Sequence, residues 1–476
     1  MKNYRNSMLI DYYELTMANG YFLENIHNEI VYFDLYFRKV PDSGGYAIFA
    51  GLETIIEYID NIHFNEEDID FLKSQKIFSN GFLEYLKTFK FTGDIYSFKE
   101  GSIMFPNEPI ITIKAPLIQA QIIETFLLQT VNHQSLIATK AARIKQAAKG
   151  KKVLEMGARR AHGASSSILG ARAAYIGGID GTSNLLSDQL HDVPSGGTMA
   201  HSWVQLFNSE YDAFKAYAKH YPQNSTFLVD TYDTLKSGIP NAIKVIKEVL
   251  LPIKAKNYAI RIDSGDLTYL AKQARKMLDD NGLKECKIVV SNSLDERLIQ
   301  TLLLQGAPID LFGVGERLIT SKSDPVFGSV YKLVAIEENG NIIPKIKISD
   351  NIEKITTPHF KSVYRIYSEN GKAEADLVTI FGEIIETNKP LTIFDPNNTW
   401  KTKTFENFQL KNMHIKIYDK GQRIYNLPNI REIKEYTKKE LNTLWDEVKR
   451  FDFPHKYYVD LSEKLWAIKQ SLINQK

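Results

Sequence analysis

The spacing of apolar and polar residues changes twice along the chain, near residue 130 and near residue 335. The first part mixes helical spacing, as at 11–21, with strand-like alternation, and the last part ends in helical spacing at 461–472. We therefore expect a mixed α/β domain at 1–130, a central domain at 131–335, and a C-terminal region at 336–476 that packs on the N-terminal domain or on the central one.

The central region repeats a simple rhythm of short apolar runs, most of them separated by stretches with helical spacing such as 267–278. Alternating strands and helices are typical of a parallel sheet with crossover connections. So many units in succession predict a closed or nearly closed α/β barrel. The seven runs are Lys152–Met156, Ala173–Gly178, Gly197–Ala200, Thr226–Val229, Tyr258–Ile262, Lys287–Val290 and Ile309–Gly313.

Polar or titratable residues follow every one of these runs. Barrel enzymes carry their active sites at the C-terminal ends of the strands, so the pattern predicts a catalytic site there. Helix caps and turn residues would give a similar pattern at a single strand end, but they do not require it at seven. The strand-end residues include Arg159, Ser183, His201, Asp230, Asp263, Asn292 and Gly315.

Arg261 and Asp263 alternate along one run, so their side chains are expected on the same side, toward the barrel mouth. The guanidinium of Arg261 could hold a planar carboxylate through paired hydrogen bonds. Asp263 could bind ribose hydroxyls, or Mg²⁺ through water. We expect Asp230 and Asn292, also at strand ends, to be associated with the same ribose or metal. The alternative is a buried structural ion pair.

His201 follows small residues that leave its ring accessible, and an imidazole can act as a base or nucleophile near neutral pH. A structural histidine is the simpler alternative. Gly313 and Gly315 lie after the last run but lack the third glycine of a dinucleotide-binding fingerprint. Backbone amides around two glycines at a late barrel strand suit a phosphate group, although a tight turn would also explain them.

A basic cluster for phosphate or pyrophosphate is expected from residues before and after the first run. Lys140 and Arg143 share one face of a predicted helix at 136–148, and Arg159 follows the strand. Arg160 and Arg172 could join this cluster. A solvated basic helix face is the alternative.

Charge and composition narrow the class of protein. The 59 basic and 57 acidic side chains leave a net charge of +2, which gives no general reason to expect a nucleic-acid or membrane partner. The single cysteine, Cys286, excludes an internal disulfide and a thiolate metal cluster. The first twenty residues mix charged and apolar side chains unlike a secretion signal, and no apolar stretch approaches the ~18 residues of a membrane span. We therefore expect a cytoplasmic protein.

Several long motifs resemble those of the nicotinate phosphoribosyltransferase family, in the family's order. Each motif alone would be weak, but together they make the resemblance specific. The chain from about residue 336 resembles the family less distinctively. The matching segments are Asp11–Met17, Glu155–Arg160, Asp180–Asn184, Thr198–Ser202, Arg261–Asp266, Ser291–Asp295 and Gly313–Leu318.

The resemblance implies a type II phosphoribosyltransferase: an irregular α/β barrel with a second mixed α/β domain, built from the N-terminal and C-terminal parts and assembled as a homodimer. It implies nicotinate and 5-phosphoribosyl 1-pyrophosphate as substrates, and nicotinate mononucleotide and pyrophosphate as products, in NAD salvage. It also implies Mg²⁺, with ATP as a co-substrate whose hydrolysis is coupled through a phosphohistidine. That histidine corresponds to His201.

The same resemblance assigns residues around the pyridine ring. Arg261 corresponds to the residue that grips the carboxylate, and Tyr21 to an aromatic residue that stacks on the ring from the partner subunit. Relatives that use nicotinamide have an aromatic ring where this chain has Met156, and an acidic residue at what looks like the position of Ser183. Met156 leaves the second stacking partner open, and Ser183 is expected to favour the acid over the amide.

Three other functions are compatible with parts of the pattern. A sister transferase could use nicotinamide, with an acidic acceptor for the amide protons, or quinolinate, with a denser cationic cluster. A barrel that binds a phosphorylated metabolite without catalysis would not need His201, Asp263, Lys140 and Arg143 together. A lyase or isomerase that forms a Schiff base would need a lysine at a strand end, and none of the seven ends has one.

Overall fold

The computed structural model describes residues 6–351 and 354–475. The described residues form two compact units. One runs up to Leu136 and continues from Val326, and the other covers Ile137–Pro325. The predicted domain boundaries stay a prediction, and parts of the predicted outer domains, at 1–5, 352–353 and 476, fall outside the described residues.

A six-stranded parallel sheet forms the centre of the unit Ile137–Pro325, and it is curled into a half-barrel. Because all its neighbouring pairs are parallel, the C-terminal ends of the strands lie at one edge. The α/β class predicted from the sequence is confirmed. In spatial order the strands are Gly181–Thr182, Lys152–Glu155, Leu311–Val314, Lys287–Ser291, Tyr258–Ile262 and Ser225–Leu228.

Two of the seven predicted strands are wrong. Ala173–Ile176 is the end of a helix, because a short alanine-rich run satisfies helical propensity as well as strand periodicity. Gly197–Ala200 has no regular structure, since adjacent glycines weaken a strand. The strand that the sequence analysis missed, Gly181–Thr182, is only two residues long and lies after the helical run.

Helices connect these strands and begin at polar capping residues. Asp266 and Asp295 each accept a hydrogen bond from a backbone N–H of the first helical turn. The regular helices of this unit are Ala164–Ile176, Leu185–His191, His201–Gln205, Glu210–His220, Ile239–Val245, Leu267–Asp280, Glu296–Leu304 and Glu316–Ile319, with π-helical turns at Thr234–Gly238 and Ile246–Leu250. Glu124–Ala147 contributes residues to both units.

The other unit is built mainly on antiparallel sheets and packs helices against them over a large apolar core. One seven-stranded sheet has the order Asn341–Pro344, Ser329–Glu338, Ile30–Phe37, Ile111–Pro116, Asp94–Phe98, His414–Asp419 and Gln422–Arg423. A four-stranded sheet has the order Phe408–Asn412, Lys361–Ser368, Ala373–Ile380 and Tyr458–Leu461. Two short pairs are Leu391–Asp395 with Asn398–Phe405, and Ala47–Ile48 with Ile103–Met104.

The helices of this unit include the predicted N-terminal and C-terminal ones. They are Tyr12–Leu23, Leu52–Asn61, Glu66–Ser74, Asn80–Lys87, Leu117–Ile122, Ile430–Thr443 and Glu463–Asn474. Throughout the described ranges, every helix is too short or too polar to cross a bilayer.

Close backbone packing behind one strand end predicts a strict requirement for glycine. A Cβ at Gly238 would lie 1.8 Å from the carbonyl oxygen of Val229, next to Asp230. Gly238→Ala should therefore destabilise the unit by about 1–3 kcal/mol or more, although alanine normally favours a helix. Thermal unfolding measures the loss. Gly196→Ala is the control, since its Cβ would meet only Leu154 at 3.9 Å, and equal midpoints for both variants would contradict the clash.

Candidate active site

A cavity of about 560 Å³ opens at the C-terminal edge of the parallel sheet. All the residues that line it belong to the unit Ile137–Pro325. The strand ends therefore converge as the sequence analysis expected. The predicted site residues among its lining are Met156, Arg159, Ser183, His201, Arg261, Asp263, Asn292, Gly313 and Gly315.

Arg261 and Asp263 form an ion pair at the cavity wall. Arg261 lies between the buried Ile260 and Ile262, so the strand's alternation turns its side chain to the opposite face. Its Nη2 donates to Asp263 Oδ1 at 3.1 Å. The pair is only partly buried, because 16% of the Arg261 side chain and 29% of the Asp263 side chain remain exposed. Arg261 and Asp263 thus lie on the same side of the strand, as expected, and their ion pair still faces the cavity.

His201 is the first residue of a five-residue helix, and 41% of its side chain is exposed. Its Nδ1 lies 3.1 Å from Thr231 Oγ1. Its Nε2 lies 4.0 Å from Asp230 Oδ1 and 3.9 Å from Asp263 Oδ2. One ring nitrogen is thus held by a hydroxyl, and the other faces two carboxylates at a distance longer than a hydrogen bond.

Asp230 does not line the cavity but lies directly behind it. Its side chain is 1% exposed, and its Oδ2 accepts hydrogen bonds from the backbone N–H of Asp263 and the hydroxyl of Ser264. Its Oδ1 is buried and has no hydrogen-bond partner. Asp230 therefore positions the Asp263 segment with one oxygen and presents the other toward His201.

The carboxylates of Asp230 and Asp263 are ligands of the kind that magnesium takes together with a substrate. Across residues 6–351 and 354–475, no three His, Cys, Asp or Glu side chains form a group that could hold a metal by themselves. Mg²⁺ typically takes only one or two carboxylates, together with waters and substrate phosphates. Asp230 Oδ1 and Asp263 Oδ2 could supply two such oxygens, so the donor set fits this ion.

Glycines and one buried glutamate shape the floor of the cavity. A Cβ at Gly313 would lie 2.7 Å from Met156 Sδ, so a side chain there would require the Met156 side chain to move. Glu155 is fully buried and accepts hydrogen bonds from the Gly157 N–H and, at 2.6 Å, from the Thr182 hydroxyl. Burial raises the pKa of Glu155 above its usual range, while these two donors oppose the shift. Glu155 thereby ties two strand ends together.

The predicted basic cluster divides into two groups. Arg159 and Arg160 are exposed on the turn Ala158–Arg160 and line the cavity. Lys140 and Arg143 do not line it: their side chains are buried and both donate to Glu296 Oε1, at 2.8 and 3.1 Å. Arg172 is likewise fully buried in its helix. Arg159 and Arg160 are thus the cations that this region brings to the cavity.

Some strand-end polar residues serve the fold instead of the cavity. Asn184, Asp233, Asp266 and Asp295 each cap a helix through a side-chain oxygen. The helix-cap interpretation therefore holds for these four. Ser183, Asp263 and Asn292 line the cavity and lie one to three positions nearer their strands than the capping residues Asn184, Asp266 and Asp295.

Tyr21 belongs to the other unit, on the helix Tyr12–Leu23. Its ring is partly buried against that unit's core, and burial, with the nearby Glu124, raises its pKa. Tyr12 and Tyr13 on the same helix are exposed. The position of Tyr21 across a subunit interface stays a prediction.

The fold and the cavity together define an α/β half-barrel enzyme whose cavity presents cationic side chains. Three family profiles cover most of the chain: the nicotinate phosphoribosyltransferase N-terminal domain at residues 8–132, the nicotinate phosphoribosyltransferase family at 151–377, and its C-terminal domain at 360–469.

Individual relatives agree with these profiles. The nicotinate phosphoribosyltransferase of Bacillus subtilis is 46% identical over 470 residues, which cover 98% of this chain and 95% of that protein. The crystal structure of human nicotinic acid phosphoribosyltransferase superposes with a TM-score of 0.85 at 28% identity, covering 98% and 100% of the two chains. A nicotinate-nucleotide pyrophosphorylase from Pyrococcus furiosus superposes at 0.71 with 25% identity over 93% and 99%. The chain belongs to the nicotinate phosphoribosyltransferase family and is an enzyme of that type, with a function in NAD biosynthesis.

The sequence analysis did not assign site roles to the hydroxyl residues around the charged groups. Thr198 and Ser291 contact Arg261, and Thr231 contacts His201. A single hydroxyl next to a strand end has no distinctive spacing, so periodicity could not separate these three from ordinary turn residues.

Proposed function

We propose that the enzyme transfers ribose 5-phosphate from 5-phosphoribosyl 1-pyrophosphate to nicotinate, giving nicotinate mononucleotide and pyrophosphate. The observation that carries the proposal is the convergence of Arg261, Asp263 and His201 on one cavity. A guanidinium for the pyridine carboxylate stands there beside a carboxylate for the sugar, as this substrate pair requires.

The chemistry follows from where charge develops. The pyridine nitrogen forms a bond to the anomeric carbon of the ribose, while the bond from that carbon to the pyrophosphate oxygen breaks and pyrophosphate leaves with the electron pair. The carboxylate of Asp263 stabilises the positive charge that develops on the sugar. Arg159 offsets the negative charge of the leaving group, together with the amides near Gly313 and Gly315. The protein otherwise mainly orients the two reactants.

The predicted magnesium ion would be held by Asp230 and Asp263, with Asn292 nearby on the cavity wall. When bound, it would neutralise pyrophosphate oxygens as a Lewis acid. Lys140 and Arg143 were predicted to contact phosphate directly. Their burial against Glu296 instead supports an indirect role, in which they fix the Glu296 end of the helix Glu296–Leu304.

The proposal includes coupling to ATP hydrolysis through a phosphate on His201. The Nδ1 contact with Thr231 leaves Nε2 as the nitrogen that faces the cavity's carboxylates, so Nε2 would attack the γ-phosphorus and ADP would leave. A phosphate on His201 adds about −1.5 to −2 charges beside Arg261 and the exposed arginines, and would reorganise the pocket. We also propose a cytoplasmic homodimer with shared active sites.

Three alternatives are less well supported. Quinolinate has a second carboxylate and would need another cation at the ring, whereas Arg159 and Arg160 stand on the turn that suits phosphate. A nicotinamide site would favour an acidic group at the position of Ser183. A purely binding barrel does not account for an exposed imidazole between Asp230 and Asp263.

The proposal is tested by incubating the full chain with nicotinate, 5-phosphoribosyl 1-pyrophosphate and Mg²⁺, with and without ATP. Chromatography should detect nicotinate mononucleotide and pyrophosphate, with faster formation when ATP is present. Nicotinamide and quinolinate are supplied in parallel. Product from either of them, with none from nicotinate, would replace the proposed substrate.

His201→Ala should abolish labelling of the protein by γ-labelled ATP, and the wild-type label should be acid-labile. The variant should still form some nicotinate mononucleotide without ATP, because the ring nitrogen attacks the sugar directly. Thr231→Ser, which keeps the hydroxyl beside Nδ1, is the matched control and should still be labelled. Equal labelling of His201→Ala would move the modification to another residue.

Ser183→Asp should weaken the use of nicotinate and permit some use of nicotinamide. Ser183 lines the cavity, and two like unit charges 4 Å apart repel by about 4 kcal/mol at an effective dielectric constant of 20, before screening. Ser183→Asn is a neutral control of similar size. Steady-state kinetics decide the matter: unchanged nicotinate constants in Ser183→Asp would place Ser183 away from the ring.

Tyr21→Ala should mainly raise the nicotinate KM, since ring stacking contributes about 0.5–1.5 kcal/mol beyond area burial. Subunit mixing tests whether the site is shared. The Tyr21→Asp and Asp263→Ala proteins, each expected to be inactive alone, are mixed and allowed to exchange subunits. Shared sites would give mixed dimers with one intact site, so activity would return.

No return of activity after verified exchange would assign Tyr21 to its own chain. A monomer by light scattering at assay concentration would also rule out a shared site. Tyr12→Asp, at an exposed position on the same helix, controls for general damage to that surface.

A further inference from the structure

The guanidinium of Arg261 is held by a different acceptor on each of its three nitrogens. Nε donates to Ser291 Oγ at 2.8 Å, Nη1 to Thr198 Oγ1 at 2.9 Å, and Nη2 to Asp263 Oδ1 at 3.1 Å. The proposed reaction uses Arg261 and Asp263 but gives no role to the two hydroxyls. Three acceptors on three nitrogens fix both the position and the plane of the group.

These contacts also determine how many donors remain for a ligand. A guanidinium carries five N–H groups, of which the protein uses three. One N–H is left on each of Nη1 and Nη2. A planar carboxylate accepts two such bonds at once, whereas a carboxamide offers one acceptor oxygen and an NH₂ that is itself a donor. The remaining donors therefore match an acid and leave one N–H unmatched by an amide.

Ser291 closes a ring of hydrogen bonds with the ion pair. Its hydroxyl accepts from Arg261 Nε and donates to Asp263 Oδ1, the same oxygen that accepts from Arg261 Nη2. Ser291 is buried at the cavity wall, and both hydrogen bonds of its hydroxyl are made within the ion pair. The ring commits Asp263 Oδ1 to the protein and leaves Oδ2 to face His201 Nε2.

Thr198 fixes the other side of the group from the loop that precedes His201. Its hydroxyl donates its single proton to the carbonyl of Met199 at 3.3 Å. The oxygen can therefore act only as an acceptor toward Arg261 Nη1. In this arrangement the Thr198 oxygen accepts from Arg261 while its proton points to the backbone.

We propose that Ser291 and Thr198 are positioning residues that set the preference for a pyridine acid over its amide by fixing the plane of Arg261. The inference rests on the proposed function, because it takes the Arg261 guanidinium as the group that binds nicotinate. The two residues act through Arg261 and do not touch the reacting atoms.

The test compares Thr198→Val and Ser291→Ala with wild type in the full-length enzyme. Nicotinate KM and kcat are measured together with the inhibition constant of nicotinamide. A hydrogen bond to a charged group stabilises enough that its loss should raise the nicotinate KM roughly tenfold or more. The nicotinamide inhibition constant should change much less. The ratio of the nicotinamide inhibition constant to the nicotinate KM should therefore fall.

Thr198→Ser keeps the hydroxyl and should restore both KM and the ratio. Thr268→Val is the matched control. Thr268 lies on the helix Leu267–Asp280 of the same unit, and its hydroxyl donates to the side chain of Gln305, so its loss should leave the ratio unchanged. Titration calorimetry of nicotinate and thermal unfolding accompany each variant, so that a loss of folding is separated from a loss of binding.

The outcomes distinguish a failure of this inference from a failure of the proposed function. An unchanged ratio in folded Thr198→Val and Ser291→Ala, with a wild type that makes nicotinate mononucleotide, overturns this inference alone. Equal weakening of acid and amide would also overturn it, since it would indicate a merely structural role. A wild type that neither binds nicotinate nor forms the product overturns the proposed function and this inference together.

Discussion

The parallel register of the half-barrel is the constraint on which the site depends. Val289 pairs with Arg261 and Val290 with Ile262, so Ser291 comes to lie beside Asp263. The same rule places Met156, just past the strand Lys152–Glu155, next to the end of the strand Leu311–Val314. A slip of one residue in either pair of strands would turn these cavity-facing side chains toward the core. Backbone hydrogen bonds far from any ligand therefore decide which side chains share the cavity.

Charge in this enzyme is a local property. The net charge of +2 says little about an enzyme whose proposed substrates are all anions. Inside the site unit, Lys140 and Arg143 are neutralised by Glu296, and Arg261 is partly neutralised by Asp263. Arg159 and Arg160 stay exposed at the cavity. Cations with buried acidic partners support the fold, and those without them are available to phosphate.

Sequence alone predicted the fold class and nine of the residues that line the cavity, because both follow from period and position. Tyr258–Ile262 was predicted to the residue, and its alternation placed Arg261 and Asp263 correctly on one side. The sequence could not distinguish Lys140 and Arg143 from Arg159, since basic residues near a strand end look alike. Only the fold brings Glu296, some 150 residues later in the chain, against Lys140 and Arg143. The sequence analysis misread Ala173–Gly178 because a short apolar run carries no unambiguous period. The hydroxyls of Thr198, Thr231 and Ser291 were missed because their significance lies in which partner they meet.

By the resemblance, Met156 occupies the position at which relatives that use nicotinamide have an aromatic ring. Its sulfur lies so close to Gly313 that a side chain at that position would require Met156 to move. A flexible, polarisable side chain can follow the face of an aromatic ring without the fixed plane of a second ring, and sulfur–aromatic contacts contribute about 0.3–1.5 kcal/mol. Under the proposed function, the ring would then be oriented less by stacking from this side than by its carboxylate. The orientation of the ring would then depend more on Arg261, whose plane is fixed by the hydroxyls of Ser291 and Thr198 and by the carboxylate of Asp263.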